Sequence, residues 1–138
     1  MSQNIINAIL EKATAEMIPG YPIVYPNLKV ETPQGIYLEV HIIPAAPQGL
    51  DLRGDATIYR GAWQINVVVP RDHGVAEARA FADLIAQQLT PNREFTGDRG
   101  VSVYLNGPCG VFAGIPDESS YMIPVSVNYR SDIYINVN

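Results

Sequence analysis

The feature that most constrains this chain is a long run of alternating residues near its C-terminus. Apolar or aromatic side chains occupy every second position from Tyr121 to Tyr129, and they alternate with Met, Pro, Ser and Asn. Because successive side chains of a β-strand point to opposite faces of a sheet, this period of two predicts a strand with one face against a core. Pro124 has no backbone N–H to donate, so it favours an edge strand or a bulge for this run.

The same alternation resumes after a short polar break, with Ile133, Ile135 and Val137. A chain end is normally frayed and polar, so three apolar residues at period two predict a strand that pairs with something. An unpaired edge of that kind invites association with another chain. We therefore expect residues 132–138 either to close the sheet of their own protomer or to add to the edge of a neighbouring one, and we favour the second.

Six other segments of the chain have the pattern of a regular element. Apolar side chains recur at every third or fourth residue in two of them, which is the spacing of one face of a helix. In the others they alternate or form short apolar runs, as they do in strands. The two predicted helices are residues 2–18 and 74–89, and the predicted strands are residues 36–43, 56–69, 101–105 and 110–116.

The order of these segments is α–β–β–α–β–β–β, which predicts the α+β class: a mostly antiparallel β-sheet with two α-helices packed on one face. The chain has 138 residues, the usual size of one domain, so we expect residues 1–138 to form a single domain. Trp63 and Val125 are expected to be buried where the second helix meets the sheet. The predicted buried stripe of that helix is Ala78, Phe81, Ile85 and Leu89, with Leu84 beside them.

The charge of the chain argues against several classes of partner. Its 9 basic and 14 acidic residues give a formal net charge of −5, and the basic residues are scattered singly. Sequence-specific nucleic-acid binding is therefore not expected, since such proteins carry a basic face. No apolar run approaches the roughly 20 residues of a membrane helix, so no membrane partner is expected either. Only 17% of residues are charged while 8 are Tyr, a composition that favours contacts with other proteins.

Residues that carry chemistry are few. The chain has His41, His73 and Cys109, with no spacing typical of a metal site and no motif of nucleophilic or phosphate-binding enzymes. Asp51 and Asp55 could meet around a cation, although two acids in a loop are more often simply solvated. We therefore predict no catalytic, cofactor-binding or metal-binding residue, no cofactor and no enzymatic activity.

The segment 44–55 is the main irregular stretch. Two prolines and two glycines interrupt it, and it is too long for a tight hairpin. We expect it to project, to be mobile in the free protomer and to become ordered when a neighbour covers Leu50 and Leu52. Those two leucines and Arg53 are our candidate interface residues in this loop, and Ile133, Ile135 and Val137 are the candidates at the C-terminus.

The stretch YRGAWQINVVVPRDHGVAEARAFADLIAQQL combines a strand that carries G-x-(aromatic)-Q-(apolar) with a helix that carries A-D-x-I. An apolar strand at residues 101–105 and a closing strand of the type IPVSVNYR follow it. Together with the leading helix, its Pro-Gly end and the irregular loop 44–55, this arrangement resembles the tail terminator, or minor tail protein, family of long-tailed phages and prophages.

The resemblance implies a hexameric ring of identical copies on the end of the tail tube. Such a ring halts growth of the tube and offers a surface to the head connector or completion protein, without catalysis. The partners that the resemblance implies are other copies of the chain, the tail tube protein and the head connector or completion protein. The resemblance also implies that the protein is located in the virion tail, after assembly in the bacterial host cytoplasm. Two alternatives stay open: another head–tail joining or tail-completion protein, and a small ligand-binding domain or enzyme with a pocket under loop 44–55.

Overall fold

The structure, a computed structural model, describes residues 2–25, 35–49, 56–70, 75–97, 100–116 and 119–134. The elements follow one another in an α+β order, as the sequence predicts. They are α1 (Ser2–Met17), β1 (Ile23–Val24), β2 (Tyr37–Pro44), β3 (Gln48–Gly49), β4 (Ala56–Pro70), α2 (Val75–Gln88), β5 (Glu94–Thr96), β6 (Ser102–Leu105), β7 (Gly110–Val111), β8 (Ile115–Pro116) and β9 (Ser120–Tyr134).

Two long strands form the centre of the sheet. β4 and β9 have 15 residues each and pair antiparallel along their whole length, from Ala56 opposite Tyr134 to Pro70 opposite Ser120. β2 and then β1 lie beyond β4, and β6 and then β5 lie beyond β9, while β3, β7 and β8 are short additions at the two flanks. Only the β1–β2 pair among the described strands is parallel, so the predicted mostly antiparallel sheet is confirmed.

The strand register collects the apolar side chains on one face of the sheet. Leu38, Val67 and Ile123 stand directly opposite one another across β2, β4 and β9, and all are buried. They share one buried cluster with Leu10 of α1 and Ile85 of α2. Because both helices contribute to the same cluster, both cover this face, which we call the core face. The other face, which we call the open face, carries no described helix.

The second helix is rotated relative to its predicted orientation. Its buried residues are Ala78, Ala82 and Ile85, followed by Leu89 just beyond its end. Phe81 is only half-buried, and Leu84 is 60% exposed, so the prediction that Leu84 lies beside the buried stripe is wrong. The small side chains of the two alanines let the helix axis approach the sheet closely, and this contact turns Leu84 outward.

Pro124 does not mark an edge or a bulge of β9. It lies opposite Asn66 of β4 on one side, and on the other its carbonyl accepts a hydrogen bond from the Phe112 N–H at 2.9 Å. In an antiparallel strand the N and C=O of one residue point to the same neighbour. The missing donor of Pro124 therefore faces the interval between β7 and β8, where the ladder is already interrupted, and β4 loses no hydrogen bond.

The structure describes only part of the C-terminal run 121–137 and part of the loop 44–55. Residues 132–134 pair with β4 of the same chain, and Ile133 lies opposite Thr57 and packs against the core. Those three residues therefore close the sheet of their own protomer. In the loop, Gln48 and Gly49 pair with β4 as β3. The candidates Leu50, Leu52, Arg53, Ile135 and Val137 lie outside the described residues, as do Asp51, Asp55 and His73.

Candidate interaction surfaces

The described residues that could act as nucleophiles or metal ligands include Cys109 and His41, which lie at different parts of the sheet, just before β7 and on β2. Cys109 is half-buried beside the core, and burial raises the pKa of its thiol. Its sulfur faces the Gly110 carbonyl oxygen at 4.0 Å, and His41 lies half-buried on β2. Within the described ranges, no three His, Cys, Asp or Glu residues cluster where they could hold a metal ion. Neither helix of the described chain is long and apolar enough to cross a membrane.

The open face changes in character along the strands. At one end Tyr37, Val68 and Met122 form a row opposite one another, and Val68 is buried. In the middle Gln64 Nε2 donates a hydrogen bond to Asn66 Oδ1 at 2.8 Å, and Glu39 of β2 stands opposite Asn66. The sequence pattern marked these positions only as polar. The structure shows that the residues paired with Gln64 and Asn66 in this central band include one acid, Glu39, and no Lys or Arg.

The other end of the open face carries a row of charges. Arg60 of β4 stands directly opposite Arg130 of β9, and Arg130 stands opposite Tyr104 of β6. The Arg130 Nε donates to Asp132 Oδ1 at 2.8 Å, and the Tyr104 hydroxyl donates to Asp132 Oδ2 at 3.4 Å. Asp132 therefore neutralises Arg130, whereas Arg60 is exposed beside a like charge.

A hollow of about 480 Å³ lies next to Arg60, and we call it the sheet hollow. Ile43 is one of the residues that line it; 52% of its surface is exposed, and it stands opposite Ala62 of β4. Arg60 is the only charged residue among the described residues that line it. The lining also includes Pro44, Ala45, Asn106 and Asn128.

A second depression, of about 400 Å³, lies on the opposite side of the molecule, where the end of α1 meets α2. We call it the helix groove. Tyr21 is 43% exposed and meets Phe81 edge-on, with ring centroids 4.5 Å apart, and Leu84 forms part of the wall. Glu77 is the only charged residue among the described residues that line it. Its remaining lining includes Met17, Ile18, Pro19 and Ala80.

Sequence reasoning missed these two surfaces, although one signal was present. Ile42 and Ile43 are adjacent in a strand of period two, so one isoleucine must lie on each face. Leu84 gave no comparable signal, because leucine next to a buried helical stripe is usually buried with it. Of the predicted interface residues, only Ile133 is described, and it is half-buried within its own protomer.

Comparison with known proteins gives a clear family. The family model for the phage tail terminator protein matches residues 4–129. One solved structure is 28% identical in sequence to this chain, covers 99% of both chains and superposes with a TM-score of 0.78. This likeness supports the fold. No curated protein matches the chain significantly.

The family match begins in α1 and ends in β9, so it includes most of α1, the first ten residues of β9 and every element between them. The resemblance that the strand–helix motif around Trp63 and Ile85 indicated is thereby confirmed. The chain belongs to the phage tail terminator family and is a structural protein of a phage tail.

Proposed function

We propose that this protein ends the growth of a phage tail by forming a ring of six copies on the tip of the tail tube. The opposite surface of the ring receives the head connector or completion protein. The observation that carries this proposal is the family match over residues 4–129. The ring assembles on the tail in the cytoplasm of the bacterial host and stays in the virion.

The charge of the chain suits this role. DNA passes through a tail terminator ring on its way out of the head, and a protein with a formal net charge of −5 has little attraction for phosphate. The central band around Gln64 and Asn66 carries Glu39 and no Lys or Arg among its paired residues, so it also offers nothing that would hold a nucleic acid electrostatically. The partners we propose are therefore proteins: further copies, the tail tube and the head connector.

We also propose that the protein acts without catalysis. Cys109, half-buried and with its pKa raised, is held as a neutral thiol, whereas a nucleophilic cysteine is activated by a lowered pKa. A Cys109→Ala variant is expected to assemble with the same partners as the wild type. Assembly that depends on the thiol would contradict this part of the proposal.

Tail length is the decisive measurement for the proposed function. Tails assembled without this protein are expected to carry tubes of irregular and excessive length by electron microscopy, and adding the purified protein restores a uniform length. A head–tail joining or completion protein gives a different result, because tubes of normal length would then accumulate without heads. Unchanged tails and normal head attachment would favour the third candidate, a ligand-binding or enzymatic domain that uses the sheet hollow beside Pro44 and Ala45.

A further inference from the structure

We propose that neighbouring copies of the chain meet by seating the sheet hollow of one copy on the helix groove of the next. In this contact Ile43 enters the groove between Tyr21 and Leu84, and Arg60 faces Glu77. The proposal rests on the ring proposed above and names the surfaces that build it. It commits to a second copy of this chain as the occupant of both surfaces.

The first argument is the exposure of large apolar side chains. Leu84 is 60% exposed, Ile43 52% and Tyr21 43%, and each belongs to one of these two surfaces. Single exposed apolar residues are ordinary, but a groove walled by several of them is typical of a binding surface. Ile43 is 52% exposed and the helix groove is a depression of about 400 Å³, so the groove has room for an isoleucine side chain.

The second argument is charge. Each surface carries one charged residue in its described lining, and the two charges are opposite: Arg60 in the sheet hollow and Glu77 in the helix groove. Neither takes part in an ion pair among the residues that the structure describes. Arg60 also stands opposite Arg130. Asp132 already neutralises Arg130, so a carboxylate from a neighbouring copy would pair with Arg60.

The third argument is the placement of the two surfaces. The sheet hollow lies on the open face, and the helix groove lies in the helix layer on the core side. One copy can therefore use both at the same time. An interface between two different surfaces is heterologous, and repeating it closes a ring when the rotation between copies allows. A symmetric dimer would instead require the same surface of each copy to pack against its counterpart.

Cross-linking tests the contact directly. In a Cys109→Ser background, Ile43→Cys combined with Leu84→Cys is oxidised with copper phenanthroline, both alone and bound to tail tubes. The two thiols lie on opposite sides of one chain, so a disulfide between them must join two copies, and a ladder of covalent oligomers up to six is expected. Either single-cysteine variant is expected to stop at dimers. The matched control pairs Leu84→Cys with Ile115→Cys, because Ile115 is 51% exposed at the other end of the open face.

Charge reversal supplies an independent readout. Arg60→Glu or Glu77→Arg alone is expected to weaken association between copies by at least about tenfold, because each places like charges in contact. Combining the two restores association. Arg79→Glu is the control on α2: it changes the net charge as much as Arg60→Glu does but lies outside the lining of the groove. Failure of the double reversal to restore association would overturn the pairing.

The mass of the wild-type protein separates this inference from the proposed function. Suppose that light scattering or electron microscopy shows rings, but the variant with Ile43→Cys and Leu84→Cys cross-links no better than the control with Ile115→Cys and Leu84→Cys. The proposed interface is then wrong, while the proposed ring is supported. If the wild type forms no ring, alone or on tail tubes, the ring and this interface are both overturned. The expected result is a ladder of covalent oligomers from the variant with Ile43→Cys and Leu84→Cys. We also expect Arg60→Glu combined with Glu77→Arg to restore association.

Discussion

Gly61 and Tyr129 stand directly opposite each other in the β4–β9 pair, and the absence of a side chain on the glycine leaves room for the tyrosine hydroxyl. A Cβ atom at position 61 would lie 2.8 Å from that hydroxyl and would overlap the carbonyl oxygen of Ile43. The same hydroxyl accepts a hydrogen bond from Gln3 Nε2 at 3.1 Å. The Tyr129 hydroxyl, which packs against Gly61, therefore links α1 to the centre of the sheet.

Replacing this glycine is expected to destabilise the protein. Gly61→Ala should lower the free energy of unfolding by about 1–3 kcal/mol, because the added methyl group forces the backbone or the tyrosine ring to move. Urea unfolding measures the loss. Asn128→Ala, exposed and next to Tyr129, is the control and should stay within about 0.5 kcal/mol of the wild type. Equal stability of the glycine and alanine proteins would show that the sheet adapts at no cost.

Two residues of the second helix should differ in their contribution to stability. Ile85 is 1% exposed, so Ile85→Ala should cost about 2–5 kcal/mol through lost burial and the cavity left behind. Phe81 is half-buried against Tyr21, so Phe81→Ala should cost less, about 1–2 kcal/mol. Chemical denaturation of the two variants under identical conditions provides the comparison. The reverse ranking would mean that the helix is oriented as its sequence pattern suggested.

The stability of the protein should fall in alkaline solution. Burial raises the pKa of the Cys109 thiol and of the Tyr129 phenol above their ordinary values of 9.0 and 10.0. As the pH rises past those values the unfolded chain ionises first and holds fewer protons than the folded one, so folding stability decreases with pH. The stabilisation is fully present below about pH 9 and is lost as the pH passes through the raised values.

Urea midpoints at about pH 8 and about pH 10.5 measure this loss. Cys109→Ala removes one of the groups whose pKa burial raises, so its midpoint should fall less between these conditions than that of the wild type. The thiol of the folded wild type should also react with maleimide more slowly than the thiol of the urea-unfolded chain. A steeper alkaline loss in Cys109→Ala would contradict the assignment.

Truncation of the C-terminus should separate two roles. Deleting residues 132–138 removes the pairing of Asp132 and Ile133 with β4, so the free energy of unfolding should fall. Deleting residues 135–138 alone keeps that pairing, and we expect this variant to fold but to form rings poorly. Denaturation together with light scattering distinguishes the two effects. Normal rings from the shorter deletion would remove Ile135 and Val137 from the contact between copies.

The loop 44–55 should become protected when the protein is assembled. We expect slower hydrogen exchange at Leu50, Leu52 and Arg53 on tail tubes than in the free protein, because we propose that a neighbour or the tube covers them there. Mass spectrometry of peptides from both samples measures the change. A peptide from α2 that contains Ile85, buried in the free protomer, is the internal reference. Equal protection of the loop in both samples would mean that it is not a contact surface.

Local pattern was sufficient for most of the elements. The period-two runs predicted β2, β4 and β9, and the three- and four-residue spacing predicted α1 and α2 to within about two residues of their observed ends. β5 was not predicted, because Glu94–Thr96 is too short and polar to show a period. The prediction of one strand over residues 110–116 is wrong: within that range only β7 (Gly110–Val111) and β8 (Ile115–Pro116) pair with β9, and residues 112–114 between them are not in a strand. Two residues each in β1 and β3 are likewise too few to show one.

The surfaces depended on long-range arrangement. The residues distant in sequence that neighbour Ile43 in the sheet hollow include residues of β4 and β9, and those that neighbour Leu84 in the helix groove include the end of α1. No spacing within one segment records such proximity. Pro124 illustrates the same limit, since its fit inside a central strand depends on the interruption between β7 and β8 opposite it.

The sequence by itself determined the α+β class, the position of the long strands and helices, and the family resemblance, because each depends on residues close together in the chain. Only the tertiary structure decided that α2 turns Leu84 outward, that β9 lies inside the sheet and that Arg60 stands beside Arg130. Burial and charge pairing depend on neighbours that are distant in sequence. Folding brings those neighbours together, and a local pattern cannot identify them.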